Sequence, residues 1–336
     1  MSITAKELAA RLGLSAAAVS MALNGKPGVS AETRETVLRA AKDLGYDFSR
    51  AKAPREQPGK IYYVVYKKDG ALVDDTPFFS ALLEGISASC KEAKCPLEVV
   101  YLNEREFVER TSGRKMHLPE DCVGILLLGT EMTTLDVERL LPCPVPILVL
   151  DSYFETFPCQ TLVINNAQGA YMATRLLIKR YHCAPGYLKS SYVVNNCLER
   201  AEGFYKAVRI HGISQSYCIE HALSPSIEGA YADMKQLLEH GEPTARCYFA
   251  DNDNIAIGAM RAFQEAGYRV PEDVAFIGFD DIPACQATTP PLSTVHVPKQ
   301  YMGDIAVRRL LAMIERPGQP NLKGEVSTTL VERGSC

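Results

Sequence analysis

From Ile61 onward, short β-branched and apolar runs alternate with longer amphipathic stretches, and this alternation limits the possible folds more than any other feature. The runs cover 61–66, 97–102, 123–129, 147–151, 162–165, 246–251 and 274–280. Between them, segments 79–93, 169–180, 199–211, 231–240 and 255–266 have helical spacing of apolar residues. Parallel strands need a crossover, usually a helix, so the pattern predicts doubly wound parallel sheets. Roughly 270 residues of it exceed a single core and divide into two lobes.

In such sheets, ligands bind beyond the carboxyl ends of the strands. Asp69, Asp151, Asn252, Asp253 and Asp280 stand at or just past the ends of predicted strands. Any one of them is as readily a loop cap, but their recurrence points to a shared cleft. Phe78 and Phe79 open the first long helix and offer either core packing or an apolar face to a ring-shaped ligand.

The first 47 residues follow a different pattern. Thr4 and Glu7 form a capping box ahead of an apolar stripe, and Gly13 closes that helix. Ser15 caps a second helix over 16–23, with Val19 and Leu23 turned inward. Ser30 caps a third, whose expected buried face is Val37, Leu38, Ala41 and Leu44. Three short helices with a tight first turn have the geometry of a helix-turn-helix, or of a small docking bundle.

Charge helps to separate these readings. The protein carries a net charge of −4, yet residues 1–60 hold ten basic and six acidic side chains, a net of +4. The remainder is therefore at −8, and a basic head on an acidic body suits a head that meets phosphates. The second helix also presents small hydrogen-bonding groups, Ser15, Ser20 and Asn24, and no outward acid.

The run from Leu14 to Gly25, followed by Val29, Ser30, Thr33 and Arg34 and closed by Gly45-Tyr46, resembles the head of the LacI–GalR repressor family without a gap. The likeness continues through Pro77-Phe78-Phe79, Gly85-Ile86, Arg200-Ala201-Glu202-Gly203-Phe204 and Ala250 to Gly258. Gly278 to Asp281, Pro291 to Val295 and Met302-Gly303 complete it in order. The resemblance implies an all-α helix-turn-helix head followed by a two-lobed, doubly wound α/β effector domain of the periplasmic-binding-protein type. It implies effector contacts from Arg200, Asp280, Asn252 and Asp151, where a guanidinium facing carboxylates can orient vicinal hydroxyls. The expected domains are a head at 1–47, a hinge at 48–60 and a body at 61–336. Within the body, 61–163 and 294–325 would form one lobe and 166–290 the other.

The departures fall where the family reads bases. Its specificity positions are Ala16 and Ala17 here, and Met21 replaces the usual arginine, so direct reading of guanine is lost. Ser15, Ser20, Asn24, Ser30 and Thr33, with Thr4, remain as candidate phosphate contacts, which position rather than specify. In the hinge, Arg55 stands where the family has its minor-groove leucine, and Pro54 precedes it within the expected helical turn. The stretch is then a basic tether through Arg50 and Arg55, a hinge that no longer wedges the minor groove, or a linker that touches nothing.

The expected function is a ligand-responsive transcriptional regulator, a repressor, with operator DNA, a sugar or nucleoside-like effector and a second copy of itself as partners. A metabolite-binding scaffold with a degenerate head is the alternative. No cofactor, metal or membrane is implied. The eleven cysteines lack zinc-site spacing and read as reduced thiols, and nothing at the N-terminus resembles a secretory signal, so a cytoplasmic location is expected. Phosphate-loop, nucleophile-elbow and metalloprotease motifs are missing, which argues against an enzyme.

Overall fold

The computed structural model describes residues 5–23, 29–44, 46, 59–68, 77–111, 118–140 and 143–336; at 5, 6, 17 and 31 it describes the backbone alone. The chain divides into two units, Met1–Gly59 and Lys60–Cys336.

The first unit contains α1 (Ala5–Leu12), α2 (Ala16–Leu23) and α3 (Ala31–Asp43). Gly13 ends α1 at φ +62°, a left-handed position that glycine occupies without strain. The Ser15 hydroxyl accepts the Ala18 N–H at 3.1 Å, and Ser30 accepts that of Thr33 at 3.1 Å, so both caps form as expected. Leu8, Ala9, Val19, Ala22, Val37 and Ala41 make the core. Leu38 does not join them and is 39% exposed. At 100° per residue it lies off the stripe that Val37, Ala41 and Leu44 share.

The second unit begins with β1 (Lys60–Lys67), α4 (Pro77–Glu92), β2 (Leu97–Asn103), α5 (Glu104–Arg110) and β3 (Cys122–Leu128). α6 (Thr134–Glu138), β4 (Ile147–Leu150) and β5 (Gln160–Ile164) follow. Then come α7 (Asn166–Tyr181), β6 (Gly186–Ser190), α8 (Asn195–Ile210), β7 (Glu220–Leu223), α9 (Ile227–Glu239) and β8 (Cys247–Ala250). The chain continues through α10 (Asp253–Glu265), β9 (Ala275–Asp280), β10 (Ser293–His296), α11 (Lys299–Glu315), β11 (Lys323–Val326) and β12 (Thr329–Val331).

Two six-stranded sheets result. The first runs β11-β5-β4-β3-β1-β2, all parallel, and the second β12-β10-β9-β8-β6-β7, parallel except for β12. All seven apolar runs read from the sequence are strands. Five further strands lack that signature: β6 carries Lys189 and Ser190, β7 buries only alternate residues, and β10, β11 and β12 have three or four residues each. Because β10 pairs with β9, residues 293–296 lie in the second sheet, a few residues past the expected return to the first lobe.

The first lobe is fastened by α4 against α11. A Cβ on Gly303 would lie 2.6 Å from the Leu82 carbonyl oxygen and 2.7 Å from the Ile86 nitrogen, so the two backbones approach too closely for a side chain. The obstacles are main-chain atoms of a helix and cannot swing aside. Gly303→Ala is therefore expected to lower unfolding stability by about 1–3 kcal/mol in a urea titration. A neutral result would mean the helices can separate at no cost.

Candidate ligand cleft and DNA-binding head

The carboxyl ends of both sheets open onto one cleft. From the first lobe it is lined by Phe78 and Phe79 at the start of α4, Thr130 after β3, Asp151 after β4 and Ile164 ending β5. From the second come Val194, Asn196, Cys197 and Arg200 around the first turns of α8, with Pro225 after β7. Asp251, Asn252 and Asn254 follow β8, and Asp280 ends β9. Water-sized space within it amounts to about 50 Å³, room for only a few molecules.

Arg200 is the centre of the second-lobe wall. It is 6% exposed, its Nε donates to Asn166 Oδ1 at 2.9 Å, and Nη1 donates to the Asp251 carbonyl. Nη2 faces Asp280 Oδ1 at 3.5 Å, and the guanidinium lies 3.9 Å above the Phe279 ring. Asn166 in turn donates to Asn196 and Glu199, so α7 and α8 share one polar network. Asp251 accepts hydrogen bonds from the Tyr187 hydroxyl and the Ser190 N–H. Burial raises its carboxyl above the ordinary range, as it does that of Asp280.

Asp151 faces this wall from the first lobe. Thr130 donates to its Oδ2 at 2.7 Å, while Oδ1 is buried with no hydrogen-bond partner. Burial pushes the carboxyl up to about 6, offset in part by the Thr130 hydroxyl and the Arg200 charge. Asp151 (φ +63°), Asp280 (φ +110°) and Asp281 (φ +56°) all hold left-handed backbone, a strain of about 1–3 kcal/mol each that collects at functional sites.

All six residues expected at an effector site, Phe78, Phe79, Asp151, Arg200, Asn252 and Asp280, line this one cleft. Asn252 also serves the fold, since its Oδ1 accepts the Ile255 N–H at 2.8 Å and caps α10. Asp253, also singled out at a strand end, is turned away; it accepts from Thr294 and from the Ile282 N–H and so ties the α10 and β9 loops together. Burial lifts its carboxyl to about 7. Asn165 likewise caps α7 through the Gln168 N–H. Asp69 lies outside the described residues. Sequence reasoning passed over Thr130, Asn196, Cys197 and Asp251, although Asp251 stands inside the motif that flagged Asn252.

In the head, Ala16 and Ser20 are exposed, and Met21 and Thr33 are half-buried. The hydroxyls of Ser30 and Thr33 lie 2.8 Å apart at the start of α3. The side chain of Ala17 is not described, and Thr4, Asn24, Arg50, Arg55 and nearly all of the hinge lie outside the described residues. Among the described residues no three acids, histidines or cysteines could hold a metal, and no helix is long and apolar enough to cross a membrane.

Two family models match. Residues 4–48 fit the lacI family of bacterial regulatory proteins, and residues 174–336 a periplasmic binding protein-like domain. The ribose operon repressor of Haemophilus influenzae is 30% identical over 94% of this chain and 93% of its own. The chain belongs to the lacI family of bacterial regulatory proteins. It is accordingly a DNA-binding transcriptional regulator that responds to a small ligand. The transcriptional repressor PurR of Vibrio cholerae, another relative, is 28% identical over 98% of this chain and 97% of its own. Among solved structures, a CelR–cellobiose complex covers 99% of this chain and 100% of its own, with TM-score 0.71 and 24% identity. A Lac repressor bound to ONPG covers 100% of both chains at TM-score 0.68 and 21% identity, a likeness of fold.

The lone Asp151 oxygen gives a pH signature. A carboxyl near 3.9 in the unfolded chain and about 6 when folded makes the native state bind the extra proton between those values. Stability from this group is thus present at low pH and is lost as pH rises toward 6, leaving a penalty at neutral pH. Asp151→Asn is expected to raise ligand-free stability by about 1–3 kcal/mol at pH 7.5 and to change it little at pH 4. Equal effects at both pH values would exclude ionisation as the cause.

Proposed function

We propose that this lacI-family regulator is a cytoplasmic repressor, not an enzyme, that binds a neutral polyhydroxylated molecule, a sugar or nucleoside, between its lobes. The observation that carries this is the convergence of Arg200, Asp280 and Asp151 on one space walled by Phe78 and Phe79. A guanidinium beside a carboxylate orders adjacent hydroxyls, the unpartnered Asp151 oxygen seeks a donor, and an aromatic face suits a sugar ring or a base. Three acids against one guanidinium disfavour a phosphate or carboxylate ligand. The names of the ribose repressor and the cellobiose complex are in keeping with a sugar.

In this reading residues 1–47 are the DNA-binding head, 48–60 the hinge and 61–336 the ligand-binding and self-association domain. Two copies pair to present two heads to a palindromic operator. Ser15, Ser20, Ser30 and Thr33, with Thr4 and Asn24, hold phosphates; Ala16, Ala17 and Met21 face the bases; and Arg50 and Arg55 follow the minor groove. The Ser15 oxygen already accepts from its own helix, which leaves its hydroxyl proton to be donated, and the paired Ser30 and Thr33 hydroxyls have one proton between them to give outward. Ligand alters DNA affinity only as far as it binds two arrangements unequally, typically by about 1–3 kcal/mol.

A thermal-shift screen of pentoses, hexoses, purine bases and nucleosides tests the ligand class. The true ligand at a hundredfold excess over its Kd should add about 2.7 kcal/mol. Phe79→Ala, at the half-buried edge of the cleft, should weaken that ligand at least about tenfold, in line with the loss of one aromatic contact. Arg200→Ala is the poorer probe, because it strands Asp280 in the interior. Stabilisation by sugar phosphates alone would refute the neutral-ligand assignment. Absence of salt-dependent binding to any duplex at low ionic strength would leave the scaffold reading in its place.

A further inference from the structure

Among the eleven cysteines, Cys183 and Cys247 meet sulfur to sulfur. Cys183, in the loop between α7 and β6, has its Sγ 3.8 Å from that of Cys247, the first residue of β8. Cys247 is fully buried, whereas Cys183 is partly exposed. The pair sits at the amino end of β8, and the cleft lies past its carboxyl end.

We propose that Cys183 and Cys247 form a reversible oxidative modification site, in which peroxide converts the two thiols to a disulfide across the base of the second lobe. The geometry favours it: the sulfurs are already in contact at 3.8 Å, against a bonded distance of about 2.05 Å, and Cys183 is carried by a loop rather than by a strand or helix. The chemistry agrees. The thiol–thiol contact and, after it, the nearby Arg246 charge lower the Cys183 thiol, while the same contact and burial raise that of Cys247. Cys183, the partly exposed sulfur, meets peroxide first and serves as the nucleophile, and the enclosed Cys247 is the resolving group.

The steps balance. The Cys183 thiol gives its proton to solvent and the thiolate attacks one peroxide oxygen; the O–O bond breaks, the departing hydroxide takes up that proton as water, and the sulfur becomes a sulfenic acid. Cys247 Sγ then attacks that sulfur, an S–S bond forms, the S–O bond breaks, and the departing hydroxide takes the Cys247 proton. Two thiols and one peroxide give one disulfide and two waters, and a small dithiol reverses the reaction. Because β8 has only four residues, the bond would form one short strand away from the Asp251 carbonyl that receives Arg200.

The test is timed oxidation of the full chain by hydrogen peroxide at pH 7, quenched by alkylation and mapped by peptide mass spectrometry. The first cross-link should join Cys183 to Cys247 and vanish with dithiothreitol. Cys183 should react at least about tenfold faster than Cys159, whose thiol burial pushes to about 11, since the thiolate is the reacting form. In Cys247→Ser, dimedone should trap a sulfenic acid at Cys183 with no cross-link there. An early Cys183–Cys336 bond, or Cys183 reacting no faster than Cys159, would overturn the assignment. Both results come from the wild-type protein, so they decide the matter even if a variant fails to fold.

Discussion

A guanidinium withdrawn from water loses several kcal/mol of hydration unless the protein replaces it, and much of the second lobe is arranged around doing so for Arg200. Its partners come from the start of α7, the end of β8 and the end of β9, and the ring of Phe279 takes its face. A single side chain thereby joins three elements at the point where the cleft begins. The same guanidinium faces the Asp280 carboxylate, while the Asp251 carboxyl is held by the Tyr187 hydroxyl and the Ser190 N–H. The first-lobe wall is different in kind. Asp151 keeps an unsatisfied oxygen, and Phe79 is only half covered. One wall of the cleft is closed by its own hydrogen bonds, and the other leaves a carboxylate oxygen without one.

Much of this was legible from residue order. Interior strands such as β3, β4 and β9 announce themselves because both faces are covered and their residues are uniformly apolar. β7 hid because alternate residues face solvent, and β6 because Lys189 and Ser190 interrupt it. α11 begins after Pro298 without a side-chain cap, so nothing in the local sequence marked its start. Most motif-bearing cleft residues were found from the sequence, Asp251 excepted, whereas Thr130 and Asn196 enter only because separate strands and helices converge, which no local pattern encodes.

The late helix boundaries have the same origin as the site. Apolar periodicity placed the starts of α7, α8 and α10 two to four residues too far along the chain. Their first turns contain Asn166, Asn196, Asp253 and Asn254: Asn196 and Asn254 line the cleft, Asp253 holds the loop after β9, and Asn166 bonds Arg200 behind the wall. A helical turn given to such polar contacts cannot also show core periodicity.

The course of the chain between the sheets bears on how the protein is made. It leaves the first lobe after β5, builds most of the second, returns for α11 and β11, and crosses again for β12. Each sheet therefore waits for an edge strand from the final fifteen residues. A ribosome delivering the chain from its amino end releases the first sheet complete only once Val326 has emerged, and the second only once Val331 has. The border strand β5 is made by Ile164 and waits until Lys323 for its neighbour, whereas β10 waits only from His296 to Thr329. The long exposure on the nascent chain falls on the first lobe alone.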